Sequence, residues 1–365
     1  MENGRGKRIG SLQALRAIAF LGIFLNHAGL KFNWSELGVS VFFVLSGFLM
    51  TRGRSASDYP LSPLKSFTSA VKRIAKLYPL HILTMLIMFA LQLVWVGGFS
   101  NIKGTGLVKE LLLNTVLMQS WYPNSAVCVS LNGVAWYLST TLFLYFVFPY
   151  LLWAAEKMKP YLRWALLVFM LMLQLVFAFD VVRKLGTENN LYIWFMYMFP
   201  VFRIPDIYAG ICLGKSSSLS AEPSGDDKPK QTVMEVLAFI ITMALCLWRH
   251  TDPYKSVNAA LRNWTTVYIP MAVVWVCLFT RRGGYLTGLL DNKILKLVGD
   301  LSAYAFLIHF ALIKCVGTFM RSAGIKATGV WKALVVIAEL LLSLLLSYLW
   351  KRIFDVKKKG VKEKT

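Results

Sequence analysis

Apolar runs of about 17 to 25 residues recur from one end of this 365-residue chain to the other, each long enough to cross a hydrocarbon core roughly 30 Å thick. No other feature constrains the fold as much. A bilayer interior offers no water to backbone N–H and C=O groups, so a spanning segment must satisfy them within itself as a helix or within a closed barrel. Runs of this length are helical ones. Ten spans are expected: Ile9 to His27, Leu37 to Thr51, Leu77 to Val96, Val134 to Leu152, Trp164 to Val182, Leu191 to Leu213, Val233 to Trp248, Trp264 to Thr280, Leu301 to Met320 and Val330 to Trp350. The second is short for a full crossing. The apolar patch Val108 to Met118 is too short to span and suits a re-entrant or interfacial position.

The expected fold class is therefore all-α, a polytopic membrane helical bundle of about ten transmembrane helices, with residues 1–365 forming a single domain. Composition agrees: 57% of residues are hydrophobic and 16% are charged, against roughly 25% charged in soluble domains. A net charge of +22 would by itself suit a nucleic-acid partner, but the Lys and Arg residues stand in short clusters between apolar runs rather than along one surface, so none is expected. Those clusters set topology instead. With the N-terminus in the cytoplasm, basic residues favour the cytoplasmic loops by roughly two to one, and an even number of spans returns the C-terminus there. The cytoplasmic membrane is the expected location. The polar segment Ser216 to Lys230, within a cytoplasmic linker at about 215–231, divides six spans from four. The five cysteines show no CxxC pattern and no histidine at ligand spacing, so neither a metal site nor a disulfide frame is expected. The basic start before the first apolar run has the form of a signal peptide, but no small-residue cleavage site follows, and a retained helix is expected.

Ionisable residues inside the apolar runs are the candidates for chemistry, because a charge in hydrocarbon costs about 3 kcal/mol or more on insertion scales and usually faces a polar cavity. Arg16 and His27 share the first span. Their eleven-residue separation is three helical turns plus about 20°, which puts them on one stripe roughly 16 Å apart along the axis. A snorkelling arginine and an interfacial histidine would account for the same pattern. Glu36 leads a segment in which Gly38, Ser46 and Gly47 stand among aromatics, small residues that let another helix or a ligand approach the backbone. Arg203 and Asp206 stand at i and i+3 beside Pro200 and Pro205, spaced to pair either as a structural ion pair or in a substrate cavity. His309 is a single histidine in the ninth span, and Trp136 and Ser139 suit interface aromatics and packing as well as a site.

Arg16 with His27, then GVSVFFVLSGF (Gly38 to Phe48) and KRIAKLYPLHIL (Lys72 to Leu83), resemble the membrane acyltransferase 3 family. NGVAWYLS (Asn132 to Ser139), FRIPDIYAG (Phe202 to Gly210) and VGDLSAYAFLIH (Val298 to His309) resemble its later segments in the same order. The resemblance implies transfer of an acyl group, usually acetyl, from cytoplasmic acyl-CoA to a hydroxyl of a cell-envelope glycan. It makes His27 the catalytic base or transient acyl carrier and Arg16 a residue that binds or orients the donor. Arg73, Lys76 and Ser46 are the implied acyl-CoA contacts, and Glu36, Trp136, Arg203, Asp206 and His309 the implied substrate-cavity residues. Acyl-CoA enters as a donor substrate rather than a resident cofactor, and the acceptor is an exopolysaccharide or lipid-linked saccharide.

Departures from the family pattern fall at Thr141, where an acid is usual, at Lys76, where a second arginine is usual, and at Ala303 and Phe306, where tyrosines are expected. From another class, a transporter or flippase of an envelope precursor would also place charges in the membrane, although no paired repeat with matching helix breaks is visible. A membrane scaffold leaves Arg16 and His27 without a role.

Overall fold

The computed structural model describes residues 9–30, 34–95, 106–186, 189–216, 227–248 and 264–362, with backbone alone at 264 and 355–362. Every regular element among them is helical. In order they are α1 (Gly10–Leu25), α2 (Ser35–Thr51), α3 (Pro63–Ile74), α4 (Tyr78–Trp95), α5 (Leu107–Thr115), α6 (Ser125–Cys128), α7 (Trp136–Glu156) and α8 (Pro160–Leu185). They are followed by α9 (Asn190–Ile193), α10 (Ile204–Gly214), α11 (Lys228–Trp248), α12 (Trp264–Arg281), α13 (Tyr285–Leu290), α14 (Lys293–Ser322) and α15 (Gly329–Lys362).

Each of the ten expected spans overlaps helix, and six helices are long and apolar enough to cross a membrane: α4, α7, α8, α11, α14 and the Gly329–Phe354 part of α15. The other four expected spans are shorter or interrupted. α1 gives way after Leu25 to a wide π turn, Asn26–Leu30, that ends where Gly29 adopts φ +80°, a left-handed conformation that glycine takes without a Cβ clash. α2 and α12 are short apolar helices. The sixth expected span is broken into α9, a π turn at Trp194–Met198, a 3-10 turn at Pro200–Arg203 and α10. Pro200 and Pro205 explain the break, since proline lacks the N–H and its ring clashes with the preceding turn. Neighbouring side chains take up carbonyls near the break: Thr140 donates to Met198 O at 3.0 Å and Gln174 to Phe202 O at 2.5 Å. Broken helices survive at membrane depth by such means. Of the expected linker, residues 217–226 lie outside the described residues, and Lys228 to Lys230 belong to the first turn of α11.

The centre of the bundle is α1 and α2, with α1 packed on α14, α2 and α12, and α2 packed on α10 and α12. Small residues set these approaches. A Cβ at Gly210 would fall on the carbonyl oxygen of Val44, and one at Gly47 on that of Ile207, so the α2 and α10 backbones touch. Without a hydrophobic driving force between helices in lipid, such close van der Waals contact is a main source of association. α8 and α15 lie at the edge, and Val168, Phe169, Met172 and Val176 of α8 are exposed, as lipid-facing residues are. The Val108 to Met118 patch becomes α5 and a turn tied to the start of α7, where Ser139 donates to Leu117 O at 2.6 Å and Gln119 donates to Ala135 O at 3.0 Å. Asn132 cross-links α4 and α14, donating to Thr84 Oγ1 at 2.8 Å and Leu307 O at 3.0 Å. Buried Glu235 of α11 accepts from the backbone N–H groups of Gly284, Leu286 and Thr287 at 3.0 to 3.2 Å, capping α13.

Candidate active site

Two cavities run into the bundle core and meet at one ring. The first, about 540 Å³, is lined by His27, Asn26, Ser35, Glu36, Trp136, Tyr197, Phe306, Phe310 and Lys314 among others. The second, about 460 Å³, is lined by Arg16, Ser46, Lys72, Arg73, Lys76, Tyr137, Thr141, Tyr145, Ser302 and Phe306 among others. Phe306 of α14 belongs to both walls. Its ring meets Tyr137 at 5.2 Å and Phe42 at 6.3 Å, both edge-on, a geometry that aromatic quadrupoles favour. These rings form a partition between a histidine cavity and a basic cavity.

His27 lies in the π turn that directly follows the last regular turn of α1. Arg16 and His27 line different cavities. The imidazole of His27 faces its cavity. Its Nδ1 lies 2.9 Å from Nε2 of His309, with the ring centroids 5.2 Å apart and the planes within 16° of each other, the side-by-side arrangement of an in-plane hydrogen bond. The edge of Phe310 packs on His27 at 5.4 Å. His309 itself is 0% exposed and does not line the cavity. Phe20, Phe24 and Phe306 enclose it at 5.7 to 6.1 Å, and its Nδ1 reaches Ala305 O, one turn earlier, at 3.0 Å. Glu36 is held in the first turn of α2, where Ser35 donates to its carboxylate at 2.8 Å. Trp136 packs against Tyr197 at 4.9 Å on the cavity wall.

The basic cavity gathers Arg16, Lys72, Arg73 and Lys76, with no carboxylate among its lining residues. Lys72 and Arg73 occupy the last turn of α3, where cations complement the helix dipole. Such placement alone would serve a solvated helix end, but here both also line the cavity. Arg73 lies 5.8 Å over the Tyr59 ring and 5.9 Å over that of Tyr145, which limits the space its guanidinium sweeps. Ser46 donates to Phe42 O at 2.8 Å, one turn earlier in α2, and keeps its oxygen lone pairs toward neighbours.

Arg203 and Asp206 line neither of these two cavities. Both side chains are 0% exposed and form an ion pair at 2.8 Å. Arg203 also donates to Ser40 of α2 at 3.1 Å, and its guanidinium lies 5.0 Å over Phe43 and 5.5 Å over Tyr197. The 3-10 turn into α10 aims the arginine across the α2 joint, and the i, i+3 spacing supplies its carboxylate locally. It stands behind Tyr197, so it braces the cavity wall instead of forming it. Ser139 is likewise taken up by the α5 to α7 turn.

Lys314, Lys72, Tyr137, Tyr145 and Tyr197 are cavity residues that the sequence reading passed over. Lys314 had a signal: it is an ionisable residue within an apolar span, five positions after His309. The tyrosines had none, since aromatics occur throughout the chain.

A family model described as an acyltransferase domain (Acyl_transf_3) matches residues 9–350. Among curated proteins the chain is similar to acyltransferase MdmB of Streptomyces mycarofaciens, at 32% identity over 161 residues, covering 39% of this chain and 38% of that protein. The similarity thus spans well under half the length of that relative. No solved structure matches the chain. With the matched region running from the start of α1 to near the end of α15, the chain belongs to the acyltransferase 3 family.

Proposed function

We propose that this protein is a multi-pass O-acyltransferase of the cytoplasmic membrane that moves an acyl group, acetyl in the simplest case, from cytoplasmic acyl-CoA to a hydroxyl of an exopolysaccharide or other surface glycan. The observation that carries the proposal is the pairing of an all-cationic cavity with a histidine cavity across one aromatic partition. A wall that carries four cationic side chains suits a ligand bearing several phosphates. The histidine cavity offers aromatic walls at Trp95, Trp136 and Tyr197 with polar groups at Asn26, Ser35, Glu36 and Gln92, a mixture of apolar surface and a few placed polar atoms that fits a saccharide with one hydroxyl to be selected.

In this scheme His27 takes the proton of the acceptor hydroxyl, the oxygen attacks the thioester carbonyl, and the carbon–sulfur bond breaks to release the CoA thiolate, which receives the proton. Lys314, on the same cavity wall, is placed to stabilise the oxyanion of the tetrahedral intermediate. The pantetheine arm passes Phe306 to bring the thioester from the basic cavity to the imidazole. The enzyme name carried by the Streptomyces relative supports acyl transfer.

The test is acyl transfer from labelled acetyl-CoA in membranes, with mass spectrometry of the surface glycan from cells with and without the protein. His27→Ala should lower transfer by about 100-fold or more, the range for loss of a general base, and remove the acetyl mass from the glycan. Unchanged glycan esters together with altered solute flux would replace the enzyme reading with the transporter one.

A further inference from the structure

The hydrogen bonds around His309 determine which nitrogen of His27 is free to react. Carbonyl oxygens only accept, so the 3.0 Å contact from His309 Nδ1 to Ala305 O requires a hydrogen on Nδ1. A neutral His309 then carries a bare Nε2. That atom lies 2.9 Å from Nδ1 of His27, which must donate for a hydrogen bond to form. His27 is thereby protonated at Nδ1 and bare at Nε2. Which ring nitrogen of a histidine holds the proton is set by the bond its other nitrogen makes, and here two histidines are set in series by one backbone carbonyl.

We infer that His309 is a positioning residue that locks His27 in its Nδ1–H tautomer and presents the Nε2 lone pair to the acceptor cavity. The inference rests on the reading of His27 as the base of acyl transfer. During the reaction Nε2 takes the acceptor proton while the Nδ1 hydrogen stays on its bond to His309, so the imidazolium keeps a hydrogen-bond acceptor behind it. No carboxylate is needed in that role. The enclosure of His309 by Phe20, Phe24 and Phe306 keeps water from offering a competing partner, and the near-coplanar bond to His309 holds the His27 ring against rotation.

The experiment combines nitrogen NMR with kinetics on the full-length protein in detergent. With ¹⁵N-labelled histidine, and His27 assigned among the four histidines by the signal lost in His27→Ala, the unaltered protein should show His27 protonated at Nδ1. His309→Gln keeps an oxygen acceptor at similar reach and should keep that tautomer, whereas His309→Ala should release it towards the Nε2–H form. His309→Ala should cut kcat by about 100-fold with the donor KM little changed, and His309→Gln should restore kcat to within about tenfold of the unaltered protein. A His27 ring protonated at Nε2 in the unaltered protein, or a tautomer indifferent to His309→Ala, overturns the inference. So does a Gln variant that folds, by its unfolding temperature, yet is as impaired as the Ala variant. Full acyl transfer by His27→Ala, with the tautomer as expected, would instead remove His27 as the base and so defeat the acyltransferase mechanism rather than the hydrogen-bond chain.

Discussion

Four cations share the wall of the basic cavity, and their arrangement predicts separable effects. Arg73 is confined between the rings of Tyr59 and Tyr145, so its planar guanidinium is pre-oriented, while Lys76 presents a compact charge on a flexible stem. Replacing either by Ala should weaken acyl-CoA binding by about tenfold, equal to about 1.4 kcal/mol, with a smaller effect on the chemical step, because neither reaches the histidine cavity. Equilibrium titration of each purified variant with acetyl-CoA measures this, and a shortened analogue lacking the nucleotide should bind the variants and the unaltered protein alike. Arg73→Lys should fall between the two, since lysine keeps the charge and loses the planar fork. The departure from the family at Lys76 therefore alters how an anion is held without removing its attraction. The departure at Thr141 is of another kind: its hydroxyl donates to Tyr137 O at 2.6 Å within α7, and no charge enters the basic cavity there.

Between elements, the α2 to α10 joint concentrates both close backbone contact and buried charge. Gly47 and Gly210 bring the chains together, and Arg203 with Asp206 fills the space beside them. Taking one partner away leaves the other as an uncompensated buried charge, which costs about 3 to 5 kcal/mol. Arg203→Leu or Asp206→Leu alone should thus lower the unfolding temperature in detergent sharply. The double substitution should recover most of the loss, since a well-packed apolar pair is often neutral or stabilising in such places. If each single change were mild and the double no better, the pair would have no structural role and its position behind Tyr197 would need another account.

For the whole molecule, Phe306 stands on the walls of both cavities. With the aromatic partition in place, a small polar thiol reagent that does not cross membranes should reach Ser46→Cys, a part-buried position on the wall of the basic cavity, in a background freed of native cysteines, from the basic-cavity side alone. Phe306→Ala removes the shared wall and should open labelling from both sides, and it should also raise acetyl-CoA hydrolysis without acceptor by letting water follow the thioester. Labelling confined to one side in the alanine variant would show that other side chains keep the cavities apart.

Helical segments were legible in the sequence because the bilayer admits few alternatives: an apolar run of sufficient length must satisfy its own backbone, and the residues of the run state that length directly. Pro200 and Pro205 carry a local reason for a break, yet hydropathy alone gave Leu191 to Leu213 as one continuous span. His27 and Arg16 stood out because an ionisable side chain in such a run carries a cost that calls for a cavity. What lay beyond the sequence was every relation set by packing between distant helices. His27 and His309 are 282 residues apart, and nothing local to either indicates that their rings meet. The spacing of Arg203 and Asp206 announced a pair but not the side of α10 on which it would lie. His27 lies in the π turn after α1, and only the packing of α14 against α1 set its ring against His309. Length and polarity act residue by residue, whereas a site is made where helices meet, and that meeting depends on the shapes of all of them together.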